Sequence, residues 1–164
     1  MSDSEPESNV HRVESVTVEI DAPAAYVWEV LVDYLRYPEW NPFTVRVDTT
    51  LVVGDPIDLY LPNPDGTDGT FLNREFIRVV DAPHHLRYDT ADEMPGLFAA
   101  RDQWVEPLGP DRCAYRTTDA MSGELAAWVV ETNGPWVKAG FDEMAAALKV
   151  RAETLYAGRS STGD

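Results

Sequence analysis

Along the chain the spacing of apolar positions changes several times, and each change marks an element. From Val13 to Ile20 apolar and polar residues alternate, Val16, Val18 and Ile20 against Ser15, Thr17 and Glu19, the period of two that marks a strand with one buried face. Asp21-Ala22-Pro23 ends that pattern, since aspartate caps helices and proline is tolerated in a first turn. Ala24 to Asp33 then sets Val27, Val30 and Leu31 on one helical face, and Tyr34 to Glu39 reads as a second short helix stopped by Pro38 and Pro42. Six strand-like runs follow: Phe43 to Val53, Pro56 to Leu61, Thr70 to Ala82, His85 to Thr90, Ala99 to Pro107 and Arg112 to Ser122. Turn formers such as Gly54-Asp55, Asn63-Pro-Asp-Gly66 and Leu108-Gly-Pro-Asp111 separate them. With no long helix in between, successive strands pair antiparallel. Both phases of Thr70 to Ala82 carry apolar residues, which predicts a bulge and leaves its inward set undecided.

The last element is a helix from Gly134 or Pro135 to about Tyr156, with Asn133 as cap and Gly158 as stop. Val137, Phe141, Met144, Leu148 and Leu155 form its apolar stripe. About 22 residues make a rod of roughly 33 Å, enough to cross a sheet. The whole predicts an α+β helix-grip fold: a curved seven-stranded antiparallel sheet around a long C-terminal helix, with two short helices after the first strand. One domain spans residues 10–157, between acidic or polar tails at 1–9 and 158–164 that are expected to be disordered.

Particular residues carry a resemblance. Ile20-Asp-Ala-Pro23 followed by Val27-Trp28 and Val32-Asp33, then Tyr37-Pro-Glu-Trp-Asn-Pro-Phe43, is similar to the opening of the START/Bet v 1-like SRPBCC superfamily, in particular its polyketide cyclase/dehydrase-like members. Val80-Asp-Ala-Pro83 with Leu86-Arg-Tyr88, Glu106-Pro-Leu108, Ser122-Gly123 and Phe141 with Met144 extend the likeness over roughly Val13 to Tyr156. The resemblance implies a pocket for a small hydrophobic ligand between sheet and C-terminal helix. It leaves the role open between cyclase or dehydrase-type chemistry, lipid carriage and a non-enzymatic interaction module of co-chaperone or stress-response type.

Composition narrows the partners. The apolar content of 44% and the five Trp and seven Tyr exclude a disordered body. The net charge of −16, with Lys138 and Lys149 the only lysines, argues against nucleic acid and against anionic membrane surfaces. Such acidity fits either an ordinary solubility charge or a high-salt habitat. Cys113 is the single cysteine, no leader opens the chain, and a cytoplasmic setting is the expectation. No cofactor is called for.

Candidate site residues follow from strand and helix phases. Tyr115, Thr117, Asp119 and Met121 share one phase of the final strand, and Leu86 with Tyr88 one phase of a middle strand. Facing the helix, they line the pocket with Trp104, Phe141, Met144 and Leu148, or else they are plain core. Trp40 and Asn41 form a lip of the pocket mouth or structure a tight turn. Trp128 and Trp136 close the cavity or offer a patch to a second copy, the chain being a monomer or a weak homodimer. An inward Asp119 is the best acid/base candidate, because desolvation raises a carboxylate's pKa. Arg74 and Arg101 are candidates for an anchoring cation, but Arg74 competes with Glu75 and Arg101 with Asp102 for the inward face. His84 and His85 diverge from one another and lack further ligands, so no metal site is expected.

Overall fold

A computed structural model describes residues 9–161; the tail expectations for 1–8 and 162–164 lie outside the described residues. Strands β1 (His11–Glu14) and β2 (Val18–Ile20) precede helix α1 (Ala24–Val32), a 3-10 turn (Tyr34–Arg36) and helix α2 (Tyr37–Trp40). Then come β3 (Arg46–Thr49), β4 (Pro56–Pro62), β5 (Thr70–Asp81), β6 (His85–Asp89), β7 (Phe98–Gly109), β8 (Arg112–Ser122) and helix α3 (Ala126–Ser161). The strands form one antiparallel sheet in the order β1-β8-β7-β6-β5-β4-β3, with β2 also paired to β8. This is the helix-grip architecture, with eight strands rather than seven because the first is broken.

The break has a clear cause. Val13 and Ile20 are both buried, yet an uninterrupted strand would send residues of opposite parity to opposite faces. One extra residue resolves the conflict. Glu14 pairs with Thr118 and Val18 with Tyr115, so three residues of the first strand stand against two of β8. Ser15 bridges the gap, its N–H donating to Thr117 O (2.9 Å) and its Oγ accepting from Thr117 N (3.0 Å). Val16, expected inward, is 46% exposed as a result. The bulge expected in β5 lies between Ile77 and Val79.

Helix α3 is longer at both ends than Gly134 and Gly158 suggested, running from Ala126 through Pro135 to Ser161. Burial of Ala126 against Ala99 and Met121 holds the added N-terminal turns and outweighs the break that a proline encourages. Gly123 makes the entry, with φ +102 and a position where a Cβ would stand 2.5 Å from Gly96 O. Phe141, Met144, Ala145, Leu148 and Ala152 pack on the sheet, whereas Leu155 is 38% exposed. Polar side chains of α3 also satisfy the chain around β2: Asp142 Oδ1 accepts from Val16 N (2.7 Å), Glu153 Oε2 from Asp21 N (2.9 Å), and Lys149 Nζ donates to Glu19 O (2.6 Å).

Phe43 sets how closely α3 approaches the chain leading into β3. It packs edge-on to Trp136 (5.0 Å) and Phe141 (5.8 Å), and a Cβ on Gly140 would lie 2.1 Å from its ring. Gly140→Ala gains about 1 kcal/mol of helix propensity but overpacks by about 1–3 kcal/mol. Urea denaturation is expected to show a net loss of about 1 kcal/mol; a more stable variant would mean that Phe43 swings aside freely.

Candidate functional site

The inward faces of β7 and β8 meet rung by rung: Ala99 opposite Met121, Arg101 opposite Asp119, Gln103 opposite Thr117, Val105 opposite Tyr115. Along these rungs the interior changes from hollow to solid. At the solid end Tyr37, Tyr88, Tyr115, Met144 and Leu148 are almost fully buried, and Tyr115 Oη donates to Gln103 Oε1 (2.6 Å) while Gln103 Nε2 donates to Tyr88 Oη (3.2 Å). The gap between Tyr37, Tyr88, Gln103 and Met144 has no space for a water molecule. At the other end a cavity of about 220 Å³ remains, walled by Phe43, Leu59, Leu61, Ala99 and Met121 and roofed by Val129, Trp136, Val137 and Phe141 of α3. Met94, Pro64 and Phe71 stand at its edge.

Three charged side chains face this apolar space: Glu75 from β5, Arg101 from β7 and Asp119 from β8. Arg101, 4% exposed, donates from Nε to Thr117 Oγ1 (3.1 Å) and from Nη2 to Met144 Sδ (3.3 Å), and its guanidinium lies 4.5 Å from the Phe141 ring centroid. Among the described residues no carboxylate oxygen comes within 4.0 Å of it. Glu75 Oε2 accepts from Asn73 Nδ2 (3.0 Å). Asp119 keeps some surface open to the cavity, but its Oδ1 is out of solvent's reach and has no hydrogen-bond partner. Burial pushes Glu75 well above the usual carboxylate range, the charge of Asp119 adds to this, and Arg101 opposes it. Burial likewise raises Asp119 to about 6, against the pull of Arg101 and with a further push from Asp102. Two cavity-wall carboxyls whose pKa values burial raises are equipped to take up and deliver protons.

The structure divides the sequence candidates. Asp119, Arg101, Met121 and Phe141 line the open cavity. Tyr88, Tyr115, Thr117, Met144 and Leu148 also point inward but pack the solid end or hold Arg101. Arg74 points outward and pairs with Asp58 across β4 and β5 at 2.7 Å, so Glu75, its neighbour, takes the inward place. Trp104 is on the outer face, stacked on His85 (5.4 Å, 5°) with Arg116 3.9 Å over its ring. Asn41 fixes the turn into β3, Oδ1 accepting from Phe43 N (3.0 Å) and Thr44 N (2.9 Å). Trp40 packs edge-on to Tyr37 beside Ala146, Ala147 and Val150 of α3, away from the cavity. Trp128 is 61% exposed. A second groove, of about 280 Å³, runs by Trp104, Arg116 and Thr17 and holds none of the buried acids.

Trp136, expected to close the cavity, does line it, and Glu75 takes the inward place for which it competes with Arg74, whereas sequence reasoning missed Asn73, Leu59, Leu61 and Val137 as lining residues. The parity shared by Asn73, Glu75 and Ile77 was the available signal in β5. In α3 it was the i, i+4, i+7, i+8 series Val129, Asn133, Trp136, Val137.

Comparisons with known proteins agree on the architecture. A family model described as polyketide cyclase/dehydrase and lipid transport matches residues 11–153. A START superfamily protein from Mycobacterium smegmatis superposes with a TM-score of 0.64 at 19% identity, over 88% of this chain and 99% of that one. The ZhuI aromatase/cyclase from Streptomyces sp. R1128 does so with 0.60 at 22%, over 88% and 94%. Norcoclaurine synthase from Thalictrum flavum, in complex with dopamine and hydroxybenzaldehyde, gives 0.58 at 18%, over 85% and 84%. Among curated proteins none matches in sequence.

The raised carboxyl predicts a direction of pH dependence. With a folded pKa of about 6 against an ordinary 3.8, Asp119 imposes no ionisation cost below about pH 4 and a growing one as pH rises through 6. Asp119→Asn is therefore expected to gain stability over the parent between pH 4 and 8 in denaturation curves. A difference that stays flat with pH would show that Asp119 ionises freely.

Proposed function

Because the chain belongs to the polyketide cyclase/dehydrase and lipid transport family, we propose that it binds a small hydrophobic molecule in the cavity under α3 and performs proton-transfer chemistry of the cyclase or dehydrase kind on it. The observation that carries this reading is the placement of Glu75, Asp119 and Arg101 on the wall of a 220 Å³ apolar cavity. An apolar cavity of about 150 Å³ accommodates benzene, so this one takes a single substituted ring or a short acyl chain. Anything larger reaches past Met94 and Phe71. Asp119 and Glu75 serve as base and acid, a pairing worth about 10²–10⁴ in rate when well placed, and Arg101 stabilises oxygen on which negative charge develops. The aromatase/cyclase and the synthase with its small aromatic ligands support the reading through a shared fold.

The same reading takes the chain to be cytoplasmic and free of cofactor, with its acidity either a solubility charge or an adaptation to high salt. None of its described helices is long and apolar enough to cross a membrane. A second reading, a protein-interaction module, draws on Trp128, Leu125 and Phe98, which stand exposed at the N-terminal end of α3 and its approach.

Two experiments separate these readings. Ala99→Leu fills the cavity from the β7 side and is expected to weaken binding of acetophenone, followed by ligand-observed NMR, by at least about tenfold, while Trp104→Ala leaves it unchanged. Equal binding by Ala99→Leu would place the ligand elsewhere. Exchange of the methyl deuterons of deuterated acetophenone is expected to fall by about 10²-fold in Asp119→Asn and in Arg101→Met; unchanged exchange in both, with the folds intact, would leave the interaction reading standing.

A further inference from the structure

The charged groups on the cavity wall do not balance. Two carboxyls, Glu75 and Asp119, share the space with one guanidinium, Arg101. That guanidinium is held toward α3 by Thr117, Met144 Sδ and the Phe141 ring, beyond ion-pair distance of either acid. Other acids nearby are already matched. Asp89 accepts from Arg78 Nε (3.0 Å) and from Ala91 N (2.8 Å), and Asp102, on the outer face, from His85 (2.6 Å) and Arg87 (3.1 Å). The remaining walls bring no counter-charge. Helix α3 contributes Val129, Asn133, Trp136, Val137 and Phe141 to the cavity, and β4 contributes Leu59 and Leu61. Once both acids ionise, one buried negative charge has no cation beside it, an arrangement that a low-dielectric site does not tolerate.

In the free chain a proton fills the deficit, in keeping with the raised acids. We propose that in the complex the ligand fills it: the molecule held under α3 is an organic ammonium, a protonated amine attached to one aromatic ring or an apolar group of similar size. This assignment rests on the reading that the cavity binds a small hydrophobic molecule, and it names the class. Asp119 receives one ammonium N–H at Oδ2, the oxygen left open to the cavity, since Oδ1 is sealed off and lacks a hydrogen-bond donor. Glu75, engaged at Oε2 by Asn73 alone, has acceptor capacity for another, and an ammonium offers three. The ring of such a ligand meets Phe43, Trp136 and Phe141. A neutral ligand of the same shape leaves Asp119 either protonated or unpaired. A carboxylate ligand gains Arg101 but adds a third negative charge to the pair.

The sign of the pH effect follows from linkage. An ammonium pairs with ionised acids, so its binding expels the proton that the free pair retains, and affinity rises with pH across the range in which the free acids titrate. A neutral ligand shows no such rise, and a carboxylate ligand shows the reverse. The test uses the full chain with 2-phenylethylamine, 2-phenylethanol and 3-phenylpropionate, titrated by calorimetry at pH 5.5 and 7.5. Expected at pH 7.5 is amine binding at least about tenfold tighter than alcohol binding, an advantage that shrinks severalfold at pH 5.5. It is also expected to vanish in Glu75→Gln/Asp119→Asn, whose alcohol binding persists. Should that double variant fail to fold, the pH dependence of the parent chain decides alone. Alcohol bound as tightly as amine, or phenylpropionate bound tightest, overturns the ammonium assignment and leaves the cavity reading intact. No binding by any of the three overturns both.

Discussion

A single long helix laid on a curved sheet has to be met by side chains of unequal size, and from that mismatch the rest of the interior follows. At the end where Met144, Leu148 and Ala152 meet the sheet, the tyrosines Tyr37, Tyr88 and Tyr115 reach inward and fill the space. At the other end the sheet offers Ala99, Leu59 and Leu61 and the helix offers Val129 and Val137, which are too small to meet. Interiors pack densely wherever side chains permit, so a hollow confined to one end reflects the choice of residues there. Phe43, wedged against Gly140 and between Trp136 and Phe141, keeps the helix from settling further.

Into that hollow the strands deliver the charges. Alternation along β5, β7 and β8 places Glu75, Arg101 and Asp119 on the inner face, and the same alternation turns Arg74 outward and Asp102 to the outer face. The solid end immobilises Arg101 through Thr117, which in turn donates to Asp102 O at 2.8 Å. Packing and electrostatics are thus coupled: the filled half positions the cation, and burial of the acids on the cavity wall raises their pKa.

Much of the fold was legible because it is written in period. The alternation of β8 identified Tyr115, Thr117, Asp119 and Met121 as one face, and the register confirms that they stand in line. Where the reading went astray, either hydrophobicity overrode the phase or no local signal marked the change. Arg101 and Trp104 are three apart in one regular strand and cannot both face inward, so the hydrophobicity of Trp104 misled; His85 and Arg116 sandwich it outside instead. The Val13 to Ile20 run looked like one strand because nothing local announces the extra residue at Ser15 to Thr17, which only the demand to bury both ends requires. Gly134 and Pro135 resembled a helix start, and contacts of Ala126 that are remote in sequence carried the helix through them. Trp128, with no helical phase assigned, could not be placed; it faces solvent.

The surface and the cavity carry the same sign, and this bears on what enters. A chain of net charge −16 surrounds itself with a negative potential that enriches cations and depletes anions near any opening, over a range of about 8–10 Å at physiological ionic strength. At the mouth beside Met94 and Phe71 the approach is apolar, so a small cation with an apolar body is drawn by the field and retained by the wall. An anionic ligand, by contrast, would cross a repulsive field to reach one guanidinium already engaged by Thr117 and Met144. Acidity outside and unpaired acids inside therefore act in one direction, and salt weakens the first far more than the second, because buried charges are screened much less.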